Sequence, residues 1–220
     1  MRLANRIGGV SLTAMLAAAP ALAADNRDAM EATVLVQQAA EVVAAMKADP
    51  NALSLAQQAK GVYVVPDFAQ GAVLVGGWGG NGVMTARTAA GWSAPAFYDI
   101  AAVSAGAQIG FTEGPVVMML MSDRAVDAFK DGSAFSLEAG AGFAIVDLSA
   151  GAGVSTDGSD VVVWSDAEGI YAGLAASASD ISWDEDANDG YYGAQLSARQ
   201  VLEGQVVESE PDPLSGALPQ

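Results

Sequence analysis

The 220-residue sequence predicts an α+β fold. Helices sit at its N- and C-terminal ends, and an antiparallel sheet between them closes into a β sandwich or a partial barrel. Three observations carry this expectation. Apolar residues recur at helical spacing from Asp28 to Lys47. From Lys60 onward the period becomes that of strands, in short β-branched runs broken by glycine and proline. Near the far end, Ser197 and Gln200 stand in the pattern of a capping box. Strands grouped together, rather than alternating with helices, favour an antiparallel sheet.

In chain order, Ala32, Leu35, Ala39, Val42 and Met46 form the helical stripe, which Val36 and Val43 widen. Asp49-Pro50-Asn51 stops this helix, and Ala52 to Ala59 reads as a short second one. The helical part is therefore expected over about 28–59 and the β-rich part over about 60–204. Gly61 to Val65 is a strand that ends at Pro66. The cluster Gly76-Gly77-Trp78-Gly79-Gly80-Asn81-Gly82 reads as a glycine turn between strands, with Val83 to Thr88 and Trp92 to Ile100 as the next strands. Pro115 to Met121 is apolar throughout, the pattern of a strand buried on both faces.

Ser122 should cap a helix that turns Val126 and Phe129 inward and closes at Gly132. Phe135 to Leu148, Asp160 to Ser165 and Gly169 to Ser179 are further strand candidates. Asp184 to Asp189 reads as an acidic turn or short helix, and a last helix runs from Ser197 to Gly204. Residues 205–220, with Pro211, Pro213 and Pro219 among acids, read as a flexible tail.

Composition excludes several classes. With 52% apolar and 16% charged residues the chain can build a core. It contains no histidine and no cysteine, which removes serine–histidine and cysteine nucleophile systems, imidazole metal sites, disulfides and zinc fingers. Nine basic residues face 26 acidic ones, for a net charge of −17, and none of the basic ones lies between Lys130 and Arg199. Nucleic acid is therefore not an expected partner, and neither is general attraction to an anionic membrane. At the N-terminus, Arg2 and Arg6 precede an apolar run from Gly8 to Ala19, too short to span a bilayer, and then Ala21-Leu22-Ala23. Residues 1–23 are expected to be a signal peptide cleaved after Ala23, which sends the protein to the periplasm or outside the cell.

Candidate chemistry is sparse. Gly77, Gly79 and Gly82 have the spacing of a dinucleotide fingerprint. The segment from Val83 to Arg87 alternates like a strand, however, where the fingerprint needs a helix N-terminus. Ser104 resembles a nucleophile elbow but has no histidine to activate it. Asp184, Asp186 and Asn188 sit at alternate positions, as in a calcium loop, although Asp189 and Gln195 stand where glycine and glutamate belong. No cofactor is expected, calcium at these three residues being the single candidate against a solvated acidic turn. A pair of carboxylates facing each other across a groove would make a glycosidase, and the 26 acids leave that alternative open. The helix stripe reads as core-facing, or else as an interfacial surface whose polar side carries Glu31, Gln37, Gln38, Glu41 and Lys47.

Several ordered elements carry a resemblance. They are Ala59-Lys60-Gly61 with Pro66, then Gly71 leading to the Gly76–Gly82 cluster, and Arg87. The run Gly91-Trp92-Ser93-Ala94-Pro95-Ala96-Phe97 and the run Gly106-Ala107-Gln108-Ile109-Gly110 continue them. Gly169-Ile170-Tyr171-Ala172-Gly173-Leu174 and Asn188-Asp189-Gly190-Tyr191-Tyr192-Gly193 complete the set. On these residues the chain resembles the SYLF, or Ysc84 actin-binding, domain family from about Leu53 to Gly204. The resemblance implies one non-enzymatic domain over residues 24–204. Eukaryotic members bind phosphoinositide membranes and actin, and bacterial members are exported. By position it points to Leu35, Val36, Val42, Val43 and Met46, with Lys60 and Arg87, as lipid- or partner-binding residues. It implies turns and packing points at Gly76, Gly77, Gly79, Gly80, Gly82, Gly91, Trp92, Ser93, Pro95, Gly106, Gln108, Gly110, Gly173, Tyr192 and Gly193.

The expectation is thus an exported, non-enzymatic SYLF-like domain that binds a membrane lipid or an envelope protein, without nucleic acid and without actin. The alternatives are a carboxylate-dependent hydrolase of envelope glycans and a calcium-dependent structural protein of the envelope.

Overall fold

The computed structural model describes residues 18–72, 76–104, 110–136, 143–148, 158–167, 178–206 and 212–220. Side chains are described from residue 26 on, except within 70–78, 102–112 and 178–179. Two helices lead, α1 (Ala18–Met46) and α2 (Pro50–Gln58). The stop predicted at Asp49 also starts the second helix, because the Asp49 side chain accepts from the Asn51 and Ala52 amides and Pro50 occupies the first turn.

The sheet strands are β1 (Gly61–Ala72), β2 (Gly76–Thr88), β3 (Gly91–Trp92), β4 (Ala96–Ser104) and β5 (Gly110–Leu120), then β6 (Phe135–Ser136), β7 (Ile145–Asp147), β8 (Val161–Trp164) and β9 (Ala178–Trp183). Helix α3 (Asp123–Lys130) separates β5 from β6. After β9 come α4 (Glu185–Tyr192), α5 (Ala198–Leu202) and α6 (Pro213–Ala217). Among the described residues the strands form one curled sheet in the order β6-β9-β4-β2-β1-β5-β8-β7, with β3 paired to β2. The pairs are antiparallel except β7 with β8, which run parallel. Of the two expected forms, sandwich or partial barrel, the chain adopts the partial barrel, a half-barrel with helices at both chain ends.

Along residues 116–120 of β5 the sheet is buried on both faces. Val116, Met118 and Leu120 enter one core with Tyr63, Tyr98 and Ile100, covered by α3 and α5. Val117 and Met119 enter the other with Val62, Val64 and Phe97, covered by α1, α2 and α6. This explains the unbroken apolar run at residues 116–120. On α1, Ala32, Val36, Ala39, Val43 and Met46 are all fully buried against the second core. The stripe thus serves the core. Val36, Val43 and Met46, expected by position to meet a lipid or partner, are closed off beneath the helix, while Leu35 and Val42 flank them half-buried.

A bulge in β1 shapes the surface beneath α1. The register runs Val65 against Val116 and then Phe68 against Gly114, so β1 carries one extra residue at Pro66-Asp67. Proline has no amide to offer the ladder, which suits it to that position. The extra residue turns Phe68 into the same core as Tyr63 and Val65, and leaves Asp67 exposed on the α1 side.

Two expectations are corrected. The Gly76–Gly82 cluster is strand, not turn, and pairs with both β1 and β4. The glycines permit close contact here: a Cβ at Gly82 would lie 2.4 Å from the Tyr63 ring. The second correction is that part of the tail is folded. Residues 212–220 form α6 and its extension, with Leu214 and Leu218 buried in the second core. Asp212 caps that helix by accepting from the Leu214 and Ser215 amides, each at 2.9 Å. Gly106, Gln108 and Gly173 lie outside the described residues.

Candidate functional site

A groove of about 640 Å³ opens where α1, the sheet and α4 meet. Helix α4 can lie close against α1 because Gly190 faces it: a Cβ there would come within 2.8 Å of the Ala29 nitrogen. One wall comes from α1, with Asp28, Glu31, Leu35 and Gln38 and the apolar pair Met30 and Val34. The floor comes from the sheet, with Asp67 from the bulge, Asn81 from β2 and Asp99 from β4. The far wall is the start of α4, with Asp184, Asp186 and Ala187.

Asn81 and Asp99 are direct cross-strand partners, and the Asn81 Nδ2 donates to an Asp99 carboxylate oxygen at 2.7 Å. Partial burial raises the Asp99 pKa above the usual carboxylate value. The neighbouring Asp184 charge raises it further, and the Asn81 hydrogen bond works against both. Six carboxylates line the groove, and no lysine or arginine is among its described lining residues. Beside them Met30 is 70% exposed and Val34 49%, four residues apart on α1 and clear of its buried stripe. The site is therefore anionic with an apolar strip along one rim.

The residues singled out from the sequence fall in three places. Asp184 and Asp186 line the groove. Asn188 does not join them. It is fully buried, its Oδ1 accepts from the Phe97 amide, and its Nδ2 donates to the Phe97 and Asp184 carbonyls. Its amide is thus committed to holding α4 on β4, and among the described residues no three acidic side chains are gathered as a metal-binding group. Lys60 pairs with Asp123 at 2.6 Å, away from the groove. Arg87 stacks over the Trp92 ring, 4.3 Å from its centroid, and donates to the Ala59, Gln57 and Pro219 carbonyls.

The Gly-Trp-Ser-x-Pro element has structural work at each described position. Gly91 takes φ +125°, and Trp92 donates to the Pro219 carbonyl. The Ser93 Oγ accepts from the Ala86 amide, and the Pro95 carbonyl accepts from the Tyr192 hydroxyl. Gly193 ends α4 in the left-handed conformation at φ +61°.

Sequence reasoning missed Met30, Val34, Asp67, Asn81 and Asp99 as members of one site. The bulge signal was present in Pro66-Asp67, and the two exposed apolar residues stand off the core stripe. What joins them is strand register, which no local pattern shows.

These features describe an α+β half-barrel with helices on both faces of its sheet and an open acidic groove at the α1–α4 junction. The family model described as "Ysc84: Las17-binding protein actin regulator" matches residues 101–220. The chain belongs to this Ysc84 family. It is similar to Protein YSC84 of Saccharomyces cerevisiae, at 32% identity over 165 residues, which is 72% of this chain and 35% of that protein. It is also 29% identical over 156 residues to LAS seventeen-binding protein 3 of Saccharomyces cerevisiae, covering 68% of this chain and 34% of that protein. SH3 domain-containing YSC84-like protein 1 of Mus musculus is 31% identical over 153 residues, 68% of this chain and 45% of that protein. The chain spans about a third to a half of the length of these curated relatives. The family match runs to residue 220, past the Gly204 limit expected from the motifs, and so includes the docked α6 segment.

Proposed function

We propose that this chain is a non-enzymatic binding domain whose α1–α4 groove receives a cationic, amphipathic segment of a protein partner. One observation carries the reading: six carboxylates share a concave surface with the exposed Met30 and Val34. Lysine or arginine side chains of the partner would meet the acids, and its apolar side chains would cover the α1 rim. Family membership supports protein contact as the mode of action, since the family's description refers to a Las17-binding actin regulator and one relative is named LAS seventeen-binding protein 3. The expectation that actin is not a partner rested on export alone and gains no support from those names. Val36, Val43 and Met46 face the core, so lipid contact through the α1 stripe would rest on the half-buried Leu35 and Val42.

The test is calorimetric titration with a helical peptide bearing lysine on one face and leucine on the other. Saturable binding should weaken at least tenfold in Glu31→Gln/Asp99→Asn/Asp184→Asn. It should hardly change in a charge-matched control altered on α3 and at its C-cap, Asp123→Asn/Asp127→Asn/Asp131→Asn. Equal affinity for both variants would reduce the interaction to the overall negative charge and remove the reading.

We also infer that the protein acts in the periplasm or outside the cell. The Arg2/Arg6, Gly8–Ala19 and Ala21-Leu22-Ala23 pattern supports this, and cleavage after Ala23 would leave the Asp28–Met46 part of α1 intact. Mass spectrometry of the protein from the envelope fraction tests it, an intact N-terminus in cytoplasmic material being the contrary result. A glycan-hydrolase reading has one observation in its favour, the raised pKa of Asp99 beside Asp184 in a groove. Release of reducing ends from peptidoglycan, lost in Asp99→Asn, would establish it in place of the binding role.

A further inference from the structure

The C-terminal segment is held in a way that suits an exchangeable ligand. Leu214 and Leu218, four residues apart, are the apolar anchors. Three side chains of the body grip the segment, and each donates to a main-chain carbonyl. The Lys47 Nζ reaches Ala217 O at 2.7 Å, the Arg87 Nη2 reaches Pro219 O at 3.1 Å, and the Trp92 Nε1 reaches Pro219 O at 2.9 Å. Recognition by two apolar anchors and by backbone is how grooves bind short peptides.

The Arg87 part of the seat is built independently of its occupant. Arg87 is also fixed by the Ala59 carbonyl at 3.1 Å and the Gln57 carbonyl at 3.2 Å, and it lies over the Trp92 ring. Its donors stay aimed when the segment leaves, which is the preorganisation a binding site needs. A displacing segment with the same two apolar anchors would refill the space that Leu214 and Leu218 occupy in the second core.

We propose that this seat is a peptide-binding groove in which residues 212–220 act as an internal ligand, displaced by a segment of a partner protein with the same chemistry. That segment has a capped Pro-Leu start, a second leucine four residues on, and proline after it. A second copy of this chain is the poorer occupant, because its own segment is already seated and exchange between copies gains no contact. The site is distinct from the acidic groove and stands without that reading.

The test uses the full chain with Leu214→Ala/Leu218→Ala and a fluorescent peptide of sequence PDPLSGALPQ, residues 211–220. The variant should bind the peptide at least tenfold more tightly than wild type does, since the tethered competitor is weakened. Adding Arg87→Ala should reverse that gain. A variant with wild-type circular dichroism that does not bind the peptide, or equal affinity in both chains, overturns the proposal. Should the double variant fail to fold, a protease site placed between Ser209 and Glu210 of the wild-type chain gives a second route. The chain is folded first and then cut. Exchange of the cut segment for labelled peptide, with the body still folded, supports the proposal. Unfolding on release, or no exchange, contradicts it. Concentration-dependent dimers dispersed by the peptide would assign the seat to a second copy and overturn the partner assignment.

Discussion

Asn188 completes the hydrogen bonding of the Phe97 peptide as a neighbouring strand would. Its Oδ1 accepts from the Phe97 amide at 3.2 Å, and its Nδ2 donates to the Phe97 carbonyl at 2.9 Å. One helical side chain thereby fastens α4 to β4 and sets the far wall of the groove. Asn188→Ala leaves the buried Phe97 amide without this acceptor, so it should cost about 1–3 kcal/mol in urea denaturation. Asn188→Asp should also destabilise, because a carboxylate cannot donate to the Phe97 carbonyl. An unchanged midpoint in both variants would show that the clamp is not needed.

Gly82 lies under the Tyr63 ring, which donates its hydroxyl to the Tyr98 carbonyl at 3.0 Å. Gly82→Ala forces that ring to move within a packed core. A loss of about 1–3 kcal/mol is expected, with altered near-ultraviolet circular dichroism from the displaced tyrosine. A stable variant with an unchanged spectrum would mean that Tyr63 yields freely.

The contrast between Gly82 and the helices explains what was legible in the sequence. The Ser122 cap, the Ser197–Gln200 capping box and the α1 stripe were readable because each acts over three or four residues. The strand role of the Gly76–Gly82 cluster was not, since glycine has poor intrinsic strand preference and the contacts that favour it there come from β1 and β4. Leu214 and Leu218 looked like tail residues because their spacing has meaning only against α1. The groove was the least legible feature. Asp67, Asn81 and Asp99 meet through a bulge and a register, while Asp184 and Asp186 were readable as an acidic cluster without a place.

Asp160 ties three segments together. It accepts from the Ala144 amide at 3.0 Å, from the Ser122 hydroxyl and from Arg124 at 2.8 Å. These bonds, the Ala144 amide foremost, hold its carboxyl below the usual range. Between its folded and unfolded pKa the unfolded chain binds more protons, so stability rises with pH through that window. The contribution is complete above the ordinary carboxylate range and is lost as pH falls through the folded value. Asp160→Asn should therefore lower the urea midpoint most at neutral pH, and the gap to wild type should close in acid. A gap that does not change with pH would contradict the role of its charge.

Asp99 has the opposite sign. Burial, with Asp184 beside it, makes the folded chain take up this proton more readily than the unfolded chain does. Its linkage therefore favours folding in acid, and that contribution is lost as pH rises from the ordinary carboxylate range through the raised value. Asp99→Asn keeps the shape and an oxygen for Asn81, so the variant should gain stability over wild type at neutral pH and lose that advantage in acid. An Asp99→Asn chain less stable than wild type at neutral pH would show that the ionised carboxylate is needed by the fold.

The central claim is that the molecule acts by contact at the α1–α4 groove, and site-resolved NMR tests it most directly. Titration of the isotope-labelled chain with the lysine–leucine peptide should shift the Met30 methyl and the Asn81 side-chain amide first, together with the Asp184 and Asp186 backbone amides. Saturating shifts centred instead on α3 or on the outer strands, with these four groups unmoved, would contradict it.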